Sequence, residues 1–177
     1  KEVSFAEVRA SYDAVLVAAG VWKERKIDLP HADKAIKGVE FLRHVNLGFI
    51  REIGRQVVIL GGGGVAFDCA FTARRLGARE VHIVCLERPD CMVAPSDDLV
   101  QASREGIMIH NGCMAIRVME REGKAGGVEC TEISGFCFNE AGEVRDALRC
   151  VAEIAGEVFA DGFFQCGQPA AGGVVVV

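Results

Sequence analysis

The sequence predicts an α/β fold, a parallel sheet alternating with helices and carrying an inserted antiparallel β-ribbon, and three observations predict it. Gln56 to Leu60 is an apolar run of strand length that stops at four consecutive glycines. A helical stripe starts at Val65, and a second apolar run, Glu80 to Leu86, follows within a few residues. Together they make a βαβ unit, which implies parallel strands joined by a right-handed crossover. Beyond residue 113 the pattern shortens to strand-like runs separated by turn signals, the mark of an antiparallel ribbon.

Taken in order, Tyr12 to Gly20 is a short apolar run ending at glycine, which reads as a buried strand. Trp22 to Gly38 is polar, contains Pro30 and reads as a connection. Val39, Leu42, Val45 and Ile50 are spaced as on a helix over 39–51, weakened by Gly48. After the strand 56–60 the spacing predicts a helix from Val65 to Leu76, with Val65, Cys69, Ala73 and Leu76 on one stripe and Gly77 as the stop. Ser96 reads as the N-cap of a helix with Asp97 and Asp98 in its first turn, ending at Gly106, and Ile107 to Ile109 as a third strand. Met114 to Arg121, Gly127 to Ile133 and Gly135 to Phe138 are the ribbon runs, with Gly123, Ala125-Gly126-Gly127 and Asn139 to Gly142 as turns. Asp161 to Gly167 repeats the plan of residues 13–20: an acidic residue, an apolar strand, then glycine.

The bulk properties narrow the function. A chain of 177 residues holds one full core, or one domain with pieces of a neighbour. Net charge is −5 with no basic cluster, which argues against nucleic acid as a partner. The apolar stretch 57–73 is interrupted by glycines and by Asp68, so no membrane span is read. The start, Lys1-Glu2-Val3-Ser4, has no signal-peptide character and reads as internal to something longer. Eight cysteines occur with no CxxC pair, so no metal site is expected; reduced thiols packed as small hydrophobes in a cytoplasmic protein are the simpler reading.

The glycine turn carries the chemistry. A dinucleotide pyrophosphate needs a tight turn out of a strand, a point of approach free of side chains, and a small residue where helix meets strand. Gly61, Gly63 and Ala66 supply these as GxGxxA, with Gly62, Gly64 and Val65 filling the motif at the N-terminus of a helix, where N–H groups and the helix dipole favour an anion. Glu87, 21 residues beyond Ala66 at the end of the second strand, is placed to accept both ribose hydroxyls of NAD. Arg88 beside it is a candidate for the 2′-phosphate of NADP; the acid at the strand end favours NAD. Asp68 is expected in the first helical turn, where an active-site role and simple helix-dipole stabilisation are equally good readings. His82 and His110 read as packing or surface residues, and no nucleophile constellation stands out, so no catalytic side chain is assigned.

Competing functions fail on spacing. A phosphate-binding loop of the nucleoside triphosphatase type needs lysine after its last glycine, and a Tyr-x-x-x-Lys dehydrogenase needs lysine four residues after Tyr12, where Leu16 stands. A methyltransferase stays open, although the x-x-Ala spacing suits dinucleotides better.

The run Val57 to Asp68, then Arg75-Leu76-Gly77-Ala78 and Val81 to Glu87, resembles the small (beta) subunit of glutamate synthase and its relatives, among them the flavin-binding portion of dihydropyrimidine dehydrogenase. Gly127-Val128-Glu129-Cys130 and Asp161 to Pro169 look like later motifs of that family. The resemblance implies a Rossmann-like NAD(P)H-binding domain inserted into an FAD-binding domain, with hydride passing from NAD(P)H to FAD and onward to a larger catalytic subunit. It implies that residues 13–20 and 161–168 are strands crossing from an FAD domain whose glycine fingerprint precedes residue 1, and that Gly167 and Gln168 lie near the flavin. On this reading residues 1–54 are a linker and crossing remnant, 55–160 the nucleotide domain, and 161–177 the return crossing and a tail. Many family members carry two arginines where this chain has Leu86 and Glu87, and Gly172 to Val177 matches no family element. The rival expectation is a regulatory domain that senses NAD(H) without catalysis.

Overall fold

The computed structural model describes residues 2–18, 28–121, 123–138, 144–149, 164–165 and 174–176. Its first element, α1 (Phe5–Ser11), is held by a capping box in which Ser4 Oγ accepts from Glu7 N–H and Ser4 N–H donates to the Glu7 carboxylate. None of its residues is buried.

The expected strand over 12–20 is not formed in its described part. Residues 14–18 have no regular structure, and Leu16 is 92 % and Val17 67 % exposed. An apolar run becomes a strand only where a neighbouring edge takes its hydrogen bonds, and none of the described strands pairs with it.

The centre is a parallel sheet. β1 (Gln56–Leu60), α3 (Gly64–Arg75), β2 (Glu80–Val84), α4 (Ser96–Arg104) and β3 (Met108–His110) follow in sequence. α2 (Gly38–Asn46) precedes them, ending before Gly48, whose φ of +74° breaks the helix. The register of β1 on β2 runs from Gln56 opposite Glu80 to Leu60 opposite Val84, and β3 pairs with β2 from His82 opposite Met108. The unassigned tail supplies the fourth strand: β8 (Val174–Val176) lies parallel to β1, giving the order β3-β2-β1-β8. A run of β-branched valines is a strand signal, but nothing local says which edge it joins.

Two cores lie on the two faces of this sheet. Val57 and Ile59 of β1, with Val81 and Ile83 of β2, point toward the helices and meet Phe41, Phe67, Ala70, Phe71 and Ala102. Val58, Leu60 and Val84 point the other way and meet Cys113, Val118, Ala125, Val128 and Cys130. The second set belongs to the antiparallel ribbon of β4 (Cys113–Arg121) and β5 (Lys124–Phe138), joined through Gly123 at φ +77°. β6 (Val144–Arg149) and the two-residue β7 (Phe164–Gln165) pair antiparallel to β5. Each fully buried side chain of this size contributes about 1.5–3 kcal/mol, so neither face is dispensable.

Several boundaries shift from expectation for local reasons. Gly126 and Gly127 lie inside β5 rather than in a turn, because a bulge between Met119 and Glu120 absorbs the extra residue. Gly135 pairs with Leu148 between two register shifts, so the two expected runs are one strand. α4 starts at Ser96, with Pro95 as its N-cap. Val65 is 50 % exposed, whereas Ala66, Phe67, Ala70 and Ala73 form the packed side of α3.

Candidate functional site

The carboxyl ends of β1 and β2 bring the predicted residues together. Gly61 leaves β1 with φ +121°, a conformation that L side chains rarely adopt, and its N–H donates to Val84 O at 2.9 Å. The turn is thereby tied to the end of β2 before the chain enters α3. Gly63 is the N-cap of α3, extended at φ −89° and ψ 174°, with no side-chain cap, and no acidic residue occupies the first turn. The first N–H groups of such a helix have no intrahelical acceptor, and with the helix dipole they form an anion site.

The glycines differ in what surrounds them. A Cβ on Gly62 would lie 2.6 Å from Glu87 Oε2 and 3.0 Å from Cys85 Cβ, so the acidic side chain closes over this residue. A Cβ on Gly63 or Gly64 would meet nothing within 4 Å. Ala66 is buried, and its Cβ is 4.0 Å from where a Cβ on Gly61 would sit, which explains the small residue where helix meets turn.

Glu87 is half-buried three residues beyond β2. Arg88 is exposed, and its Nε lies 3.3 Å from Asp90 Oδ1. Asp68 is exposed in the second turn of α3, not the first, because the helix begins at Gly64. Helix-dipole stabilisation, which fades within a turn, therefore does not account for it. Gly167 and Gln168 lie outside the described residues.

Two features were not legible from spacing. His82 and His110 form a stacked pair, with Nδ1 of the first 3.0 Å from Nε2 of the second and ring centroids 5.3 Å apart. Burial lowers the pKa of both below the usual histidine value; Glu80 partly offsets this for His82, and His82 adds to it for His110. They are packing residues held neutral, as the sequence suggested. The other feature is the Asn111-Gly112 turn, which contacts Glu87; an Asn-Gly dipeptide after a strand was the signal that could have revealed it.

Four of the five cysteines described follow the packing reading. Cys69, Cys85, Cys113 and Cys130 are buried, and Cys91 is exposed. Burial first, then the Glu87 carboxylate, pushes the Cys85 thiol up to about 12, and burial also raises Cys113. Both stay protonated and are poor nucleophiles at neutral pH. Among the described residues no helix is long and apolar enough to cross a membrane.

Fold and turn together are those of a Rossmann-like nucleotide-binding domain. The chain belongs to the pyridine nucleotide-disulphide oxidoreductase family, whose model matches residues 1–151. Use of NAD(P)H and FAD goes with that family. It is 31 % identical over 137 residues to the beta subunit of the NADP(+)-dependent formate dehydrogenase of Moorella thermoacetica, covering 75 % of this chain and 19 % of that one. It is 33 % identical over 123 residues to the glutamate synthase [NADPH] small chain of Azospirillum brasilense, covering 60 % and 25 %. The glutamate synthase resemblance is thus confirmed, and the chain spans about a fifth to a quarter of the length of these relatives. The fold is shared with T. acidophilum thioredoxin reductase at TM-score 0.53 and 11 % identity, over 88 % of this chain and 41 % of that one.

Proposed function

We propose that this chain is the NAD(P)H-binding part of a flavin-dependent, cytoplasmic oxidoreductase, and that it takes NADH in preference to NADPH. The observation that carries this is the contrast inside the glycine turn. Gly62 is closed by the Glu87 carboxylate, while Gly63 and Gly64, at the N-terminus of α3, have open space before them. That is the cradle a pyrophosphate requires, with an acid at its rim for the ribose.

Gly61 to Ala66 would hold the pyrophosphate and Glu87 the ribose hydroxyls, with Asp68 and Arg88 at the margins. Bound there, NADH would supply a hydride to FAD held by a flavin domain of the same polypeptide, for onward transfer to a larger catalytic subunit. This chain's own share is binding, orientation and electrostatics. Residues 55–160 form the nucleotide domain on this reading, residues 1–54 its linker and crossing, and 161–177 the return; Gly167 and Gln168 belong to the flavin side. The exposed Leu16 and Val17 suit a segment that packs on such a flavin domain. The relatives' names speak of NADP(+) and NADPH. Glu87 argues otherwise here, since its carboxylate repels a 2′-phosphate and the neighbouring Arg88 is engaged with Asp90.

The test is a titration of the chain with NADH and NADPH, read by fluorescence and calorimetry, on wild type and Gly63→Ala. Gly63 has an ordinary φ and an empty surround, so its alanine variant should lose no more than about 1 kcal/mol of stability, the cost of a poorer N-cap, and lose NADH affinity by about tenfold or more from steric exclusion of the ligand. No response of the wild type to either nucleotide at millimolar concentration defeats the proposal.

A further inference from the structure

β2 ends at Val84, and Glu87 stands in the loop beyond it, where no strand pairing fixes the backbone. A carboxylate that has to meet two hydroxyls needs a fixed backbone, because recognition of this kind tolerates little positional error. The turn after β3 supplies the nitrogen donors that fix it, beside the Cys85 thiol at 3.9 Å. Glu87 O accepts from Asn111 Nδ2 at 3.0 Å and from Gly112 N–H at 3.1 Å. Just before it, Cys85 N–H donates to His110 O at 3.0 Å, and Cys85 O accepts from Cys113 N–H at 2.9 Å. The Asn111-Gly112 turn therefore continues the β2–β3 ladder past its end.

That turn is in turn held by the ribbon. Ile133 N–H of β5 donates to Gly112 O at 2.8 Å. Gly112 has φ +63°, and a Cβ there would press on Ile133 O at 3.3 Å, so glycine is what allows the approach. Asn111 is half-buried, with its amide nitrogen also 2.9 Å from Met92 Sδ and 3.5 Å from Cys85 Sγ, a setting of acceptors that suits the donor end of the amide.

We infer that Asn111 is a positioning residue for cofactor choice. With Gly112 N–H it clamps the Glu87 backbone so that the carboxylate stays over Gly62, where it accepts the ribose hydroxyls of NADH and opposes a 2′-phosphate. The inference rests on the nucleotide-binding reading above. It makes the ribbon part of the cofactor site through a single turn.

The experiment is a titration of wild type, Asn111→Ala, Glu87→Ala and the double variant with NADH and NADPH, with thermal melts alongside. Losing one oriented hydrogen bond should weaken NADH binding by Asn111→Ala about tenfold and change NADPH binding by about twofold or less. The double variant should bind NADH no more weakly than Glu87→Ala alone, because both changes act through one carboxylate. A merely structural Asn111 would weaken both nucleotides together and add to Glu87→Ala; that pattern, or an unchanged NADH affinity in Asn111→Ala, overturns the inference. The nearly isosteric Asn111→Leu, which removes the donor without opening a cavity or adding a charge, reads the same quantities where the alanine variant melts early. A wild type that binds neither nucleotide instead rejects the nucleotide-binding reading itself.

Discussion

The two faces of the parallel sheet are covered in different ways. On the helical face Phe41, Phe67 and Phe71 fill the space between strands and helices that lie close together in the chain. On the ribbon face the cover is made of smaller residues, Cys113, Val118, Ala125, Val128 and Cys130, on one long hairpin. The helical face carries the larger side chains and sets the platform. The ribbon face is the one whose hairpin springs from the turn that bonds the Glu87 carbonyl. Stability should therefore depend most on the first face and cofactor selectivity on the second.

That contrast can be broken most sharply at Phe67, which is fully buried on the helical face. Phe67→Ala should cost about 3–5 kcal/mol in denaturant unfolding, from lost transfer energy and the cavity left behind. The NADH to NADPH preference of whatever fraction stays folded should be unchanged. Val128→Ala, equally buried on the ribbon face, removes two methyl groups and should cost about 2 kcal/mol. A larger loss at Val128 than at Phe67 in the same melts would invert the comparison.

Gly62→Ala probes the meeting point of the two faces. Its methyl would collide with the Glu87 carboxylate and with Cys85 Cβ, so NADH affinity should fall by about tenfold or more, while stability changes by only about 1 kcal/mol. Unaltered NADH binding in this variant would show that the carboxylate's seat is irrelevant to the ligand.

The smallest effect concerns pH. His82 and His110 have pKa values lowered by burial from the ordinary 6.5, so the unfolded chain takes up protons before the folded one does. Stability is therefore full above about 6.5 and declines as pH falls through the window between that value and the lowered folded ones. Melting temperature should fall between pH 7 and pH 5, and His82→Leu, which removes one of the two buried titrating rings, should flatten the slope. An equal slope in that variant would move the effect elsewhere in the chain.

The βαβ unit was readable because its signals are local. A strand, its glycine turn and its helix are adjacent, and Gly61 and Ala66 each answer a steric demand within a few residues. Two of the misreadings share one cause. Residues 12–18 are apolar but lack a described partner edge, and Gly126 is swallowed by a bulge whose existence depends on the opposite strand. Asp68 moved out of the first turn because a one-residue change in helix start cannot be read from periodicity.

The sequence by itself determined the α/β class, the glycine turn and the presence of an acid after the second strand, since spacing along one chain is enough to specify them; that β2 stops at Val84 and leaves Glu87 in the loop beyond it was not legible. Only the tertiary structure decided that the valine tail completes the sheet beside β1 and that His82 stacks on His110. It alone also decided that the Asn111-Gly112 turn bonds the Glu87 carbonyl and that the Glu87 carboxylate closes over Gly62. Those are contacts between residues far apart in the chain, and neither propensity nor period carries information about which distant edge a segment will meet.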